Sequence, residues 1–474
     1  MRTQAIFVPL IVAAAILPPA ADPHRSVWAS PIVPQPARPI DQERLTVTAF
    51  ASGLWFPTSM AELPDGSLLV AESVPLSDVS PSFFSSTGRL VRFVDSDRNG
   101  TADGPPVVLA DGLPGSVTSV VRQGDVVAVT STTGLTPAIT LWRTGPTPAS
   151  PFTPLGRLDF AFPAGFEHTT SALAIRPSGS GTLELYFNVG SKDNAVATPL
   201  TDTVSLTADG GVAMAAAALL PDSVYRVVIT DAGGSLSAAP PVQIARGLRN
   251  AAGLVFDQAG GLLLQDNGID TPDNRGVSFS ADELNRVAAA DLGVTVLDFG
   301  FASSYVDSAT GELVGAAPGL TPPLLAFLPQ GGRRSEGATE LALAPAGFPA
   351  DLAGGVFVPF FGMWGRAGLA NEENPLVWAD PATGDYFHFF DSQIMGHPYG
   401  VLSTAEQLYL ADMTSIGKLS GTGTVAAGTI YAITPVPEPA AIVLGLVGVV
   451  LVAYRRRTQR DSCFTCVQEI PSRP

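Results

Sequence analysis

The chain of 474 residues has only two cysteines, Cys463 and Cys466, both close to its C-terminus. The long region before them can form no disulfide, so a domain there must be held by a large core or by bound metal ions. A lone Cys-x-x-Cys has the form of half a zinc site or a redox pair, but there is no second pair to complete a zinc site. Positive charge is the next shortage. Lys and Arg number 26 against 43 Asp and Glu, a formal charge of −17. That balance argues against nucleic acid or an anionic membrane surface as partner, since both need basic patches. Solubility accounts for most of the carboxylates. Helical periodicity is nearly absent from the central region. No Gly-x-Ser-x-Gly elbow, His-Glu-x-x-His helix or phosphate loop appears, which leaves little room for the corresponding enzyme classes.

Apolar runs are confined to the two ends. Arg2, the apolar stretch 5–17 and the small pair Ala20 and Ala21 have the layout of a cleaved secretory signal over residues 1–21. The proline-rich segment 22–44 has no apolar period and reads as a linker. At the far end Pro435-Val-Pro-Glu-Pro439 leads into the uncharged stretch 440–454 and then Arg455-Arg456-Arg457. As a helix this stretch rises about 22 Å, short of a roughly 30 Å hydrocarbon core unless flanking residues join in. The arginines should stay cytoplasmic and the large domain outside. Pro437-Glu438-Pro439, an apolar helix and an arginine cluster, in that order, resemble the PEP-CTERM sorting signal of Gram-negative bacteria. The resemblance implies one transmembrane helix within 435–457 and a short cytoplasmic tail, 458–474. It further implies an exosortase-type protease as partner, transient anchoring in the inner membrane, and delivery to the cell surface or extracellular matrix.

Between the ends, residues 45–434 repeat one pattern: an apolar strand, a turn with Pro, Asp or Gly, and a second apolar strand ending in polar residues. It appears at 57–72, 171–189, 252–266 and 340–361, and more weakly at 117–130 and 398–412. Further strand-like runs between the copies give about four short strands per repeat. Repeats of that size that cannot bury a face alone read as propeller blades. The expected fold is therefore all-β, a six-bladed β-propeller. Equivalent positions in successive blades form a ring round the axis. Five residues before the anchors Met60, Leu173, Leu254 and Leu341 stand Trp55, His168, Arg249 and Glu336, with His397 one position off register before Val401. Such residues at one channel mouth make a small-molecule site.

Several stretches match one family in order. They are Phe50-Ala-Ser-Gly-Leu54, Gly247-Leu-Arg-Asn250, Asp266-Asn-Gly268, Asp282-Glu-Leu-Asn285, Gly362-Met-Trp-Gly-Arg366 and the closing His397-Pro segment. In these the chain resembles the glucose/sorbosone dehydrogenases, six-bladed propellers that oxidise sugars with pyrroloquinoline quinone. The resemblance implies that His168 is the general base, with Glu167 orienting its ring, although Glu167 also reads as an ordinary surface group. Arg249 would polarise the quinone carbonyl, Asn250 and Asn267 would bind the cofactor, and Arg366 would hold one of its carboxylates. The chain departs from the family in having Asp298-Phe-Gly-Phe301 for a longer aromatic segment, Arg333-Arg334 as its only basic pair near the fifth blade, and His397 where relatives carry Arg.

Asp95, Asp97, Asn99 and Asp103 alternate round Gly100 with the spacing of an EF-hand-like Ca²⁺ loop, though the same residues also suit a plain turn. By resemblance, Glu283 and the Gly268 carbonyl offer a second calcium position. Two functions follow. One is an exported quinone-dependent sugar or alcohol dehydrogenase. The other is a non-catalytic propeller that binds extracellular polysaccharide or protein.

Overall fold

Each copy of the repeated pattern forms an antiparallel hairpin. Pro57–Glu62 pairs with Leu68–Pro75, Ser116–Gln123 with Val126–Thr133, and Leu173–Gly179 with Thr182–Val189. Gly253–Phe256 pairs with Leu262–Asp266, Ala342–Leu343 with Val356–Pro359, and Pro398–Ser403 with Leu408–Asp412. This computed structural model describes residues 44–169, 172–270, 279–329, 337–362, 376–390 and 395–436. The signal segment 1–21, nearly all of the linker, the sorting segment from 437 on, Arg333, Arg334, Glu336 and Arg366 lie outside them. Among the described residues there is no helix, and none is long and apolar enough to cross a membrane.

The fold is an all-β propeller. The expectation of six blades needs correction: five blades form an unbranched four-strand antiparallel meander, and the sheet of Leu173–Gly179, which is branched, does not repeat it. There, Ser223–Asp231 pairs along one edge with both Val242–Arg246 and Leu236–Ala238. The cause is local. Pro240 and Pro241 fall between those two short strands, and proline has no N–H to donate to a ladder. The long insertion between Val189 and Ser223 adds Val204–Asp209 to the outer edge of the preceding sheet, against Thr153–Ala161.

The ring closes where Leu45–Leu54 pairs antiparallel with Gly428–Pro435, Leu54 opposite Gly428 and Leu45 opposite Pro435. Residues 44 and 436 thus leave at the same end, where Arg44 pairs with Asp351 at 2.6 Å. First strands face the axis. A channel of about 360 Å³ is lined there by Met60, Ser119, Ala174, Leu254, Glu340 and Val401. Glu340 staples this centre, accepting from the Ser59 hydroxyl and, at 3.2 Å, from the Val401 amide. Burial pushes its carboxyl up to about 8.

One device recurs at the opposite end of the first strands. A polar residue in the last half of a blade's second strand accepts an N–H from the segment entering the first. Glu72 takes that of Trp55 at 3.2 Å and Asn188 that of Ala172 at 2.6 Å. Asp266 takes those of Arg249 at 2.9 Å and Asn250 at 2.6 Å. Asp412 takes those of Gly396, His397 and Thr414 at 3.0, 2.8 and 3.2 Å. All four acceptors are buried. An isolated buried carboxylate or amide is costly, and these are tolerated because backbone donors satisfy them. They hold the entering segments, and the side chains those carry, in fixed positions at one mouth of the channel.

Candidate active site

A cavity of about 890 Å³ opens at that mouth, and His168, Glu167, Arg249, Asn250 and Asn267 all line it. Four of the five come from the entering segments of two neighbouring blades, and Asn267 follows directly on the latch residue Asp266. The main chain couples the two blades: His168 N donates to Ser191 O at 3.2 Å, and Ser191 N donates to Arg249 O at 2.8 Å.

The hydrogen bonds of His168 assign its tautomer. Ser191 Oγ donates to the Asp193 carbonyl at 2.8 Å, so it accepts from His168 Nδ1, which lies 2.9 Å away. The Ser191 carbonyl, 3.2 Å from the same nitrogen, can only accept as well. Nδ1 therefore carries the proton and Nε2 the free lone pair. Burial, and after it the nearby Arg249 cation, push the imidazole down to about 3 against a smaller opposing effect of the Ser191 hydrogen bond, so the ring is neutral at ordinary pH.

This corrects the role expected of Glu167. Ser191 orients the ring. Glu167 is exposed, and its pKa is raised by partial burial and by the charge of Asp193. Adjacent residues of an extended chain point in opposite directions, which is why a neighbour in sequence is not a neighbour of the ring. A glycine signals Ser191: a Cβ on Gly190 would lie 2.6 Å from His168 Cβ, so only glycine lets the two segments come this close.

Arg249 is 5% exposed and rigidly held. Its Nε donates to the Asn194 carbonyl and side-chain oxygen, both at 3.0 Å, and Nη2 reaches Asn194 Oδ1 at 2.5 Å and Asp270 at 3.3 Å. Burial lowers the guanidinium pKa, with Asp270 as the largest opposing influence. Asn250 donates to Asn267 Oδ1 at 3.0 Å, and Asn267 to the Ala338 carbonyl at 2.6 Å. Asn250 Oδ1 is buried without a partner among the described residues. Asn194 and Asp270 carried no motif that marked them.

Of the rest of the expected ring, Glu336 lies outside the described residues, and Trp55 and His397 do not join the site. Trp55 packs at 5.8 Å on Phe56. His397 stacks under Phe361 at 4.3 Å, with Nδ1 2.7 Å from the Phe361 carbonyl and Nε2 3.3 Å from that of Gly417. Neither lines the cavity. A common offset from the first strand fixes the height of a residue along the axis, and the local latch decides which way its side chain turns.

Of the metal candidates, the Asp95, Asp97 and Asp103 oxygens lie within 4.8 Å of one another. Asn99 donates from its backbone to Asp95 and Asp97 and from its side chain to Asp97. Burial first, and Asp97 also, raise the Asp95 pKa. This loop follows Ser86–Phe93 on the face away from the cavity, where Arg98 meets Glu406. Glu283 accepts from Val306 N at 3.1 Å, and Gly268 N donates to Asp282 at 2.8 Å. Burial pushes Glu283 up to about 8. Among the described residues Glu283 belongs to no group of three carboxylates close enough to share an ion.

No protein-family model matches the chain, and no curated protein is similar to it in sequence. Solved structures are similar in fold. The PQQ domain of pyranose dehydrogenase from Coprinopsis cinerea, in its holo form, is 15% identical with a TM-score of 0.53, covering 82% of this chain and 95% of that one. A Trichoderma reesei carbohydrate-active enzyme of family AA12 is 14% identical with a TM-score of 0.52, covering 85% and 98%. A calcium structure from that family and organism gives 14% and 0.51, covering 86% and 100%. At these identities the likeness shows a shared propeller fold.

Proposed function

We propose that this chain is an exported, surface-sorted, quinone-dependent dehydrogenase that oxidises a sugar or alcohol hydroxyl. The observation that carries the reading is the convergence of His168, Arg249 and Asn250 on one cavity. Pyrroloquinoline quinone, when bound, supplies the acceptor for the hydride that leaves the substrate carbon. Its carbonyl end fits the buried guanidinium of Arg249, a donor held by Asn194 and Asp270, while the Asn250 Oδ1 on the same segment, without a partner among the described residues, can only accept. The carboxylate end would draw on Arg366, outside the described residues. His168 Nε2 takes the hydroxyl proton as the hydride departs, and Ser191 keeps the ring in the tautomer that allows this. Arg249 is already immobilised, so it stabilises negative charge without reorganising.

The test is titration of the purified protein with pyrroloquinoline quinone and Ca²⁺, followed by dye reduction on an aldose panel. Saturable binding with sugar-dependent reduction is expected, and absence of both sinks the reading. The alternative, a propeller that binds extracellular carbohydrate without chemistry, is favoured by the charge of the cavity wall. Glu167, Asp193 and Asp270 there face the single cation Arg249 among the described lining residues.

Calcium belongs to the same reading as a brace, because the Asp95, Asp97 and Asp103 loop stands apart from the cavity. Millimolar Ca²⁺ is expected to raise the melting temperature by a few degrees through preferential binding to the folded state. Asp97→Asn should abolish that rise and leave quinone affinity unchanged. A melting temperature indifferent to Ca²⁺ and to chelator would leave the loop as a turn.

A further inference from the structure

The residues that hold the site in place, Ser191 for His168 and Asn194 for Arg249, share one short segment without secondary structure. It begins the long insertion between Val189 and Ser223, which pair directly across two neighbouring strands. Irregular surface segments are ordinarily the most mobile part of a fold, so one that fixes an arginine and a histidine must itself be fixed. At its start Ser191 is tied by the main-chain bonds to His168 and Arg249. At its far end the ties converge on Thr198. The Thr198 hydroxyl has one proton, which goes to Asp222 Oδ1 at 2.6 Å, so it accepts from Lys192 N at 2.8 Å. The Thr198 amide donates to the other oxygen of Asp222 at 2.7 Å. Within the loop so closed, Asp193 Oδ1 accepts from Ala195 N at 2.9 Å.

Asp222 closes the neck of the insertion. It is the last residue before Ser223, it is buried, and its φ of 56° lies in the left-handed region. Asp enters that region more readily than most side chains, yet a residue other than glycine stays there only where its surroundings fix it. In this conformation the Asp222 carboxylate meets Thr198, while the Asp222 carbonyl accepts from Leu248 N, the residue before Arg249, at 3.1 Å. One residue thereby ties the segment that holds the site to the segment that carries Arg249. Burial raises the Asp222 pKa, and the two Thr198 hydrogen bonds oppose that rise. The turn is braced by Tyr225, whose hydroxyl accepts from Leu220 N at 2.8 Å and donates to Leu220 O at 2.9 Å.

We infer that Asp222, acting through Thr198, is a positioning residue that holds the segment 191–198 so that Asn194 keeps the Arg249 guanidinium, and Ser191 the His168 ring, in the geometry the site requires. Neither Asp222 nor Thr198 lines the cavity. A buried cation that stabilises charge without reorganising needs a rigid holder, and an irregular segment is rigid when it is tied at both ends. The effect on turnover rests on the dehydrogenase reading. The positioning itself can be measured without cofactor.

Three substitutions in the full-length protein test this. Asp222→Gly keeps the left-handed φ at no steric cost and removes the carboxylate. Thr198→Val keeps the volume and removes the hydroxyl, and Thr198→Ser restores it. In the cofactor-free protein, labelled with ¹⁵N in arginine, solvent exchange of the Arg249 Nε–H is followed by NMR. It should quicken roughly tenfold in Asp222→Gly and in Thr198→Val, the scale of one lost hydrogen bond, and stay at the parent rate in Thr198→Ser. With pyrroloquinoline quinone added, the same two variants should lower kcat roughly ten- to hundredfold and leave KM for the sugar nearly unchanged. A lower melting temperature with Arg249 exchange unmoved in both Asp222→Gly and Thr198→Val would make the tie merely structural and overturn the inference. Exchange as fast in Thr198→Ser as in Thr198→Val would overturn it too. If the parent protein neither binds quinone nor turns over, the dehydrogenase reading fails, and the exchange pattern alone still decides whether Asp222 positions Arg249.

Discussion

Replacing His168 with alanine is expected to lower kcat/KM for the sugar by about a hundred- to ten-thousandfold, the scale of a lost general base, while quinone binding persists. Quinone binding that persists with turnover unchanged would remove His168 from the chemistry. Ser191→Ala should give a smaller loss, because the Oγ that accepts from Nδ1 and donates to Asp193 is removed while the Ser191 carbonyl, 3.2 Å from Nδ1, still accepts and keeps the tautomer. The electrostatics can be tested separately. Arg249 is the second cause of the depressed His168 pKa, so Arg249→Leu should raise it, read by NMR of the imidazole C–H signals. The sign for stability follows from a folded pKa of about 3 below a reference of 6.5. The stability that neutral His168 brings is fully present above about pH 6.5 and is lost as pH falls toward 3. His168→Gln should flatten that part of the stability profile.

Asp266→Ala is expected to be the most damaging single change to fold and site together. It strips the acceptor from the Arg249 and Asn250 amides at once, leaving two buried donors unsatisfied. A loss of about 3 kcal/mol, on the order of 4 °C in melting temperature for a propeller of this length, is the expected scale. Quinone binding should fall with it, since both cofactor-facing side chains sit on the released segment. Asp266→Asn separates acceptor from charge. Burial raises the Asp266 pKa from 3.8 to about 7, so the folded protein holds this proton more tightly than the unfolded chain does. That contribution is present below about pH 4 and is lost as pH rises through 7. The deficit of Asp266→Asn relative to the parent should therefore shrink between pH 5 and pH 8, as measured by denaturant unfolding. A deficit that grows with pH would mean that the carboxylate is stabilised where it sits.

Much of this architecture is written locally. Alternation of apolar residues round a Pro, Asp or Gly turn specifies the hairpins, and the two ends of each pattern lie close enough in sequence to be read together. The acidic residue late in a second strand, Glu72, Asp266 or Asp412, was visible as part of the pattern, though its work as a latch was not. What escaped was set by contacts between distant segments. Nothing near His168 in sequence announces Ser191, which reaches it only because Gly190 permits the approach. Nothing near Arg249 announces Asn194. Trp55 had the right spacing and His397 stood one position off it, and neither turns toward the cavity, since spacing fixes height along the axis and the latch geometry fixes rotation. The branched sheet was likewise hidden, because it depends on where Pro240-Pro241 falls along a partner strand.

The pairing of Leu45 with Pro435 puts both exits of the chain on the face opposite the cavity, beside Asp351 and the Asp95 to Asp103 loop. A tether fixed to either exit therefore points the opening away from its own attachment. The propeller can be immobilised through its termini, on a bead, an electrode or a cell envelope, and still meet whatever diffuses past from the free side.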